Sequence, residues 1–166
     1  LAAAAGVPIE TLGAALAVLT QQGIQPSEAV TYLRSALSAI INPSSQAATL
    51  AQQLGIQFDA QALKSRGLAA VLNDVQRATG GNVQQMAELF GGTEALSAVL
   101  GLTGDKAAKF SEEQKRMADS AGATQTAFEK FAGALGPYVQ QLKNAIEVGL
   151  TGIGDRLLDE SAGIVN

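Results

Sequence analysis

A chain of 166 residues supports one compact core, and its 31 Ala and 18 Gly against seven aromatic residues keep that core thin. Cys and His are both absent, which excludes a disulfide framework, a zinc ribbon and an imidazole general base. Eleven Lys and Arg against 15 Asp and Glu leave a formal charge of −4, the wrong sign for neutralising phosphates, so no stable nucleic-acid binding is expected.

The longest uncharged stretch, Ser35 to Phe58, is broken by Asn42, Pro43, Ser44 and Ser45, so it does not read as one bilayer-spanning helix. Leu1 to Gly6 carries no basic leader, and the chain is expected to be a segment of something longer.

In chain order, Ile9, Leu12, Leu16 and Leu19 step by three, four and three, the spacing of one helical face, with Pro8 in the first turn and Gly23 as the stop. Pro26 and Glu28 open a second helix with Val30, Leu33, Leu37, Ile40 and Ile41 on one stripe. Asn42 and Pro43 close it and start a third, capped by the Asn side chain, through Ala47, Leu50, Ala51 and Leu54 to Gly55. These three are expected to be antiparallel neighbours.

Between Ile56 and Gly67 the helical period lapses and a short non-helical, extended excursion is expected. Leu68, Leu72, Val75 and Ala78 restore the period until Gly80 and Gly81, and Asn82 with Gln85 has the form of a capping box for a brief helix ending near Phe90. Gly91 and Gly92 turn the chain. Thr93 then caps a helix through Leu96, Val99 and Leu100, and Gly101 and Gly104 bracket a second break.

Asp105 to Asp119 is charge-dense, with Asp105/Lys109 and Glu112/Arg116 at helical spacing, and reads as a solvated helix. Beyond Gly122, Phe128, Phe131, Leu135, Tyr138, Leu142, Ile146, Leu150, Ile153 and Leu157 recur with a mean period of about 3.6. That predicts a long amphipathic helix, kinked at Pro137, that lies against several partners rather than one supercoiled mate. The organisation expected is therefore all-α: a compact multi-helix domain over 1–104, a charged helix over 105–121 and a long C-terminal helix over 123–160.

Chemistry is sparse. Gly101 to Lys106 is the nearest approach to a phosphate loop and reads as a helix end and restart. Gly149, Gly152 and Gly154 have reversed spacing for a dinucleotide fingerprint. Glu112 and Glu113 are adjacent, so they project in different directions and read as a solvated face. Asp155, Asp159 and Glu160 lack the Gly-turned loop of a Ca²⁺ site. Ser65 beside Lys64 has no oxyanion-hole context, and Ser111 reads as a helix cap. No catalytic, cofactor-binding or metal-ligating residue is assigned, and no enzymatic activity is expected. The strongest feature is the C-terminal stripe, whose polar side carries the balanced set Glu129, Lys130, Gln140, Gln141, Lys143 and Glu147; a protein partner suits it better than anionic lipid. Phe131, Leu135, Leu142, Ile146 and Leu150 are the candidate self-association residues.

Gly6 to Ile56, with its Leu-Arg-Ser-Ala-Leu run at Leu33 to Leu37 and its Leu-Gly-Ile ending, resembles the core segment of phage tail tape measure proteins of the minor tail protein type. The block LFGGTEALSAVLGL, Leu89 to Leu102, and SAGAT, Ser120 to Thr124, followed by a long helix, extend the likeness over nearly the whole chain. Family members often follow Leu-Gly-Ile with a hairpin whose turn holds a Gly, which Phe58 to Ala62 lacks. The resemblance implies no catalytic residues. It implies several copies of a long helical protein inside the tail tube of the virion, setting tail length and leaving with or before the genome; the period near 3.6 favours a bundle of three or more copies over a two-stranded coil. Partners implied are other copies, the tail tube, tail-tip or baseplate hub proteins, and the host membrane at ejection. The readings of a different class are a membrane-active helical conduit and a peptidoglycan-cleaving domain.

Overall fold

The computed structural model describes residues 6–119. Among them are eight α-helices, one short 3₁₀ turn and no strand, so the fold is all-α. The helices are α1 (Ile9–Gln21), α2 (Pro26–Ile41), α3 (Ser45–Gln53), α4 (Ala60–Arg66), α5 (Leu68–Thr79), α6 (Val83–Phe90), α7 (Thr93–Leu102) and α8 (Ala107–Asp119), with the 3₁₀ turn at Gly104–Lys106.

The arrangement is organised around α1. Nine consecutive residues, Thr11 to Leu19, are buried, which no single-faced helix achieves. The expectation of one apolar face is corrected here: the positions between the leucines are Gly13, Ala14, Ala15 and Ala17, whose small side chains let α2, α7 and α8 close on it. Burying an Ala methyl contributes only about 0.8 kcal/mol against 1.5–3 kcal/mol for a Leu side chain, so these residues serve chiefly to admit neighbours.

Each neighbour presents a matching stripe. α2 buries Val30, Leu33, Leu37 and Ile40, as the spacing predicts, and α7 covers it with Ala95, Ala98, Val99 and Leu102. The charge-dense α8 is docked as well as solvated: Phe110 is 2% exposed, and the Met117 thioether lies over Gly13, 3.7–3.8 Å from where a Cβ would sit. Gln114 Nε2 donates to the buried Thr11 hydroxyl at 3.1 Å, tying α8 to the start of α1. At the other end, Gln22 Nε2 donates both to the Val18 carbonyl at 3.0 Å and to the Gly101 carbonyl at 2.8 Å, tying α1 to α7.

Local chemistry sets the helix ends. Pro26 is the first residue of α2, where the amide it lacks has no intrahelical partner. Pro8 is one residue outside α1, and its carbonyl accepts from Thr11 and Leu12. Ser44, not Asn42, caps α3 by accepting from the Ala47 amide at 3.1 Å, while Asn42 ends α2. Asn82 Oδ1 takes the Gln84 and Gln85 amides at 3.0 and 3.1 Å, but its own amide donates to Thr79, so only half of the box forms. Thr93 is the first residue of α7 rather than its cap, a place held by Gly92.

Three further expectations are corrected. The segment Ile56 to Gly67 is mostly helical: Asp59 caps α4 by accepting from the Ala62 amide at 2.7 Å, leaving only Leu54 to Asp59 between α3 and α4. Within that connection Phe58 is buried edge-on against Phe90, with ring centroids 5.1 Å apart at 83°, so its alternation with polar neighbours marks a core anchor rather than a strand. α3 rests mainly on α6 rather than completing a three-helix set with α1 and α2. Gly101 lies inside α7, not at a break, because a side chain there would strike α1: a Cβ would come within 2.5 Å of Leu19 Cδ2.

That contact yields a test. Gly→Ala in a helix interior gains about 1 kcal/mol of propensity, whereas overpacking costs about 1–3 kcal/mol. Gly101→Ala is therefore expected to lower stability by up to about 2 kcal/mol, and to cost less, or to stabilise, in a Leu19→Ala background. Thermal or urea unfolding measures both. A full propensity gain in the otherwise unchanged chain would show that α1 and α7 do not touch at this point.

Candidate functional site

The candidate self-association residues Phe131, Leu135, Leu142, Ile146 and Leu150 lie outside the described residues, as do Gly149, Gly152, Gly154, Asp155, Asp159 and Glu160. The remaining candidates can be placed. Glu113 is buried with Arg116 Nη1 donating to it at 2.8 Å, while Glu112 is exposed. The expected solvated face is thus half right: α8 turns Glu113 inward, one turn beyond Phe110. The two carboxylates diverge and share no cleft. Ser65 Oγ donates to the Gln61 carbonyl at 2.8 Å, one turn back on α4, and Ser111 sits inside α8 rather than capping it.

Gly101 to Lys106 does not form a cradle of amides. Its first two residues complete α7, Thr103 is buried with its hydroxyl on the Val99 carbonyl, and Gly104 to Lys106 forms the 3₁₀ turn. Lys106 Nζ pairs with Asp105 at 2.6 Å rather than Asp105 with Lys109, and that hydrogen bond and charge hold the Asp105 carboxyl below its ordinary value. Among the described residues no three acidic side chains gather as a metal site would require, and no helix is long and apolar enough to cross a membrane.

The described surface does carry one charged construction. Gly67, at φ 80°, is both the last cap of α4 and the first of α5, and this sharp joint folds the end of α4 back over the next helix. Arg66 thereby reaches Asp74, and Arg77, one turn further along α5, reaches the same carboxylate from the other side. Asp74 is 13% exposed, Arg66 38% and Arg77 76%. The three line an open groove of about 490 Å³ with Leu54, Gly55, Ile56, Gln57 and Ala78. Asp74 and Arg77 stand at helical spacing in the sequence; Arg66 joins them only through the Gly67 joint, so it was not singled out. A second groove, of about 480 Å³, runs between Pro8, Glu10 and Thr11 of the α1 start and Ser111, Gln114, Lys115 and Ala118 of α8. Among the described residues the exposed large apolar side chains are Val83 and Leu100, on α6 and α7.

The described residues form an all-α body built on small side chains, with buried polar groups used in packing. A family model described as phage-related minor tail protein matches residues 1–91, more than half of the chain. The chain belongs to that family of phage tail proteins. No curated protein and no solved structure matches it. The family match ends at Gly91, which closes α6, although α7 and α8 beyond it are packed against α2 and α1.

The divergence of Glu112 and Glu113 can be checked by zymography. The purified chain is expected to leave peptidoglycan intact. Clearing that is abolished by Glu112→Gln or Glu113→Gln would overturn the non-catalytic reading.

Proposed function

We propose that this chain is part of a tail tape measure protein: several copies, three or more, pack lengthwise inside the tail tube, set its length during assembly and take part in genome ejection. The observation that carries the reading is membership of the phage minor tail family over residues 1–91. Two features support its finer part. Helices lined with Ala and Gly approach closely, as α1 and its neighbours do, which suits packing in a narrow space. The C-terminal stripe of Phe131, Leu135, Leu142, Ile146 and Leu150 supplies an apolar seam long enough to join copies, since residues 123–160 as one helix would extend beyond 50 Å at 1.5 Å per residue. The tail tube and the tail-tip or baseplate hub proteins are the remaining partners of this reading. It includes neither an enzymatic step nor a cofactor.

Burying Leu142 and Ile146 between copies would contribute about 1.5–3 kcal/mol each. Leu142→Glu with Ile146→Glu is therefore expected to disperse the oligomer in light scattering and to block incorporation into tails, whereas Gln140→Glu on the polar side does neither. Normal assembly by the double variant would show that the stripe makes no contact between copies. Length setting has its own readout. Duplicating about 36 residues of the stripe, ten whole turns, is expected to lengthen tails by about 54 Å in electron micrographs. Tails of unchanged length would refute the tape measure reading while leaving membership of the tail family intact.

A further inference from the structure

The groove at the α4–α5 joint stands out in its charge among residues 6–104. Between Gly6 and Gly104 the cations are Arg34, Lys64, Arg66 and Arg77, and three of these four stand on α4 and α5. Those two helices carry three cations and a single acid, Asp74, within a chain whose formal charge is −4. One carboxylate cannot neutralise two guanidinium groups. Each Arg gives only an Nη2 to Asp74, and among the described residues the other N–H groups of Arg66 and Arg77 meet no acceptor. Asp74 therefore acts as a post that holds two planar forks side by side, with donors left over for further carboxylates. The wall beside them is apolar, made by Leu54, Ile56 and Ala78. The groove thus suits an acidic peptide stretch that also carries aliphatic side chains. Nucleic-acid phosphate suits it less, because the whole chain repels a polyanion and the wall offers no further cation.

The sequence contains such a stretch. Asp155-Arg-Leu-Leu-Asp-Glu160 sets three carboxylates around Leu157 and Leu158. We propose that the Arg66–Asp74–Arg77 groove receives the Asp155–Glu160 segment of a second copy of this chain. A second copy is the fitting source because residues 123–160, read as one helix, carry this acidic end about 50 Å from their own start. In this respect the inference rests on the lengthwise packing proposed above. The contact is heterologous, groove on one copy to terminus on the next, so it extends along a row instead of closing a symmetric pair.

The absence of cysteine makes the test direct. In the full chain, Gln57→Cys, at the exposed rim of the groove, is combined with Ser161→Cys, and the pair is oxidised mildly and resolved on non-reducing gels. A covalent dimer is expected to form at least tenfold faster than for Ser27→Cys with Ser161→Cys, which places the first cysteine on the exposed start of α2. Raising the salt, or changing Asp155, Asp159 and Glu160 to Lys, is expected to bring the rate down to that of the control. Equal rates for the two pairs, a rate indifferent to the Lys changes, or a disulfide confined to single chains would each overturn the inference. Light scattering on the same samples keeps the two proposals apart: an oligomer that persists while the Gln57/Ser161 pair crosslinks no faster than the control removes this contact and leaves the stripe standing.

Discussion

Everything in the described fold depends on α1 being enclosed on all sides. A helix buried through nine successive residues has no solvent face, so its neighbours must cover its whole circumference, and they can do so only if the side chains between the leucines are small. Gly13, Ala14, Ala15 and Ala17 meet that condition from within α1, and Gly101 meets it from α7. The same requirement explains why a helix as polar as α8 belongs to the body. Phe110 and Met117 supply its share of the enclosure, and the remaining surface is free to be charged. It also explains why the compact unit runs past residue 91: without α7 and α8 two flanks of α1 would face water.

Enclosure by small side chains leaves little hydrophobic gain per contact, so polar groups that bridge helices carry part of the specification. Gln22 bridges carbonyls of α1 and α7, Gln114 meets the Thr11 hydroxyl, and Ser35 donates to Glu94 at 2.9 Å between α2 and α7. A buried polar group left unpaired costs about 1–3 kcal/mol, more than a single Ala burial returns. Any register in which the buried Thr11 hydroxyl lost its partner would therefore be disfavoured, even where the Ala-rich faces still met.

The elements whose ends are written in backbone chemistry were legible in the sequence. Pro26, Gly55, Gly80 and Asn82 mark boundaries where the structure has them, and the α2 stripe is buried position for position from Val30 to Ile40. What escaped has definite causes. Seven residues of α4 are too few turns to display a period, and its cap, Asp59, was masked by the alternation around Phe58. Alanine is silent in a periodicity reading, so the burial of α1 between its leucines did not register. Gly101 reads as punctuation in the sequence, whereas its lack of a side chain serves a contact with Leu19, 82 positions away in sequence. The α4–α5 groove was illegible for a related reason, since only the Gly67 joint brings Arg66 to Asp74.

The charge distribution bears on how such bodies could assemble. α8 itself is balanced, with Lys109, Lys115 and Arg116 against Glu112, Glu113 and Asp119, so it adds polarity without adding net charge. The excess of acids sits elsewhere and makes copies repel one another at separations within a Debye length of about 8 Å at physiological ionic strength. Side-by-side packing of like-charged copies then needs either an apolar seam, which gains from water's exclusion and is little affected by salt, or a local reversal of sign. The proposed stripe is a feature of the first kind and the α4–α5 groove of the second. Salt weakens the attraction that fills the groove, while the seam itself is little affected and loses only the general repulsion that opposes it. A protein using both would hold neighbouring copies over a broad range of conditions while letting the ionic contact alone fix which part of one copy meets which part of the next.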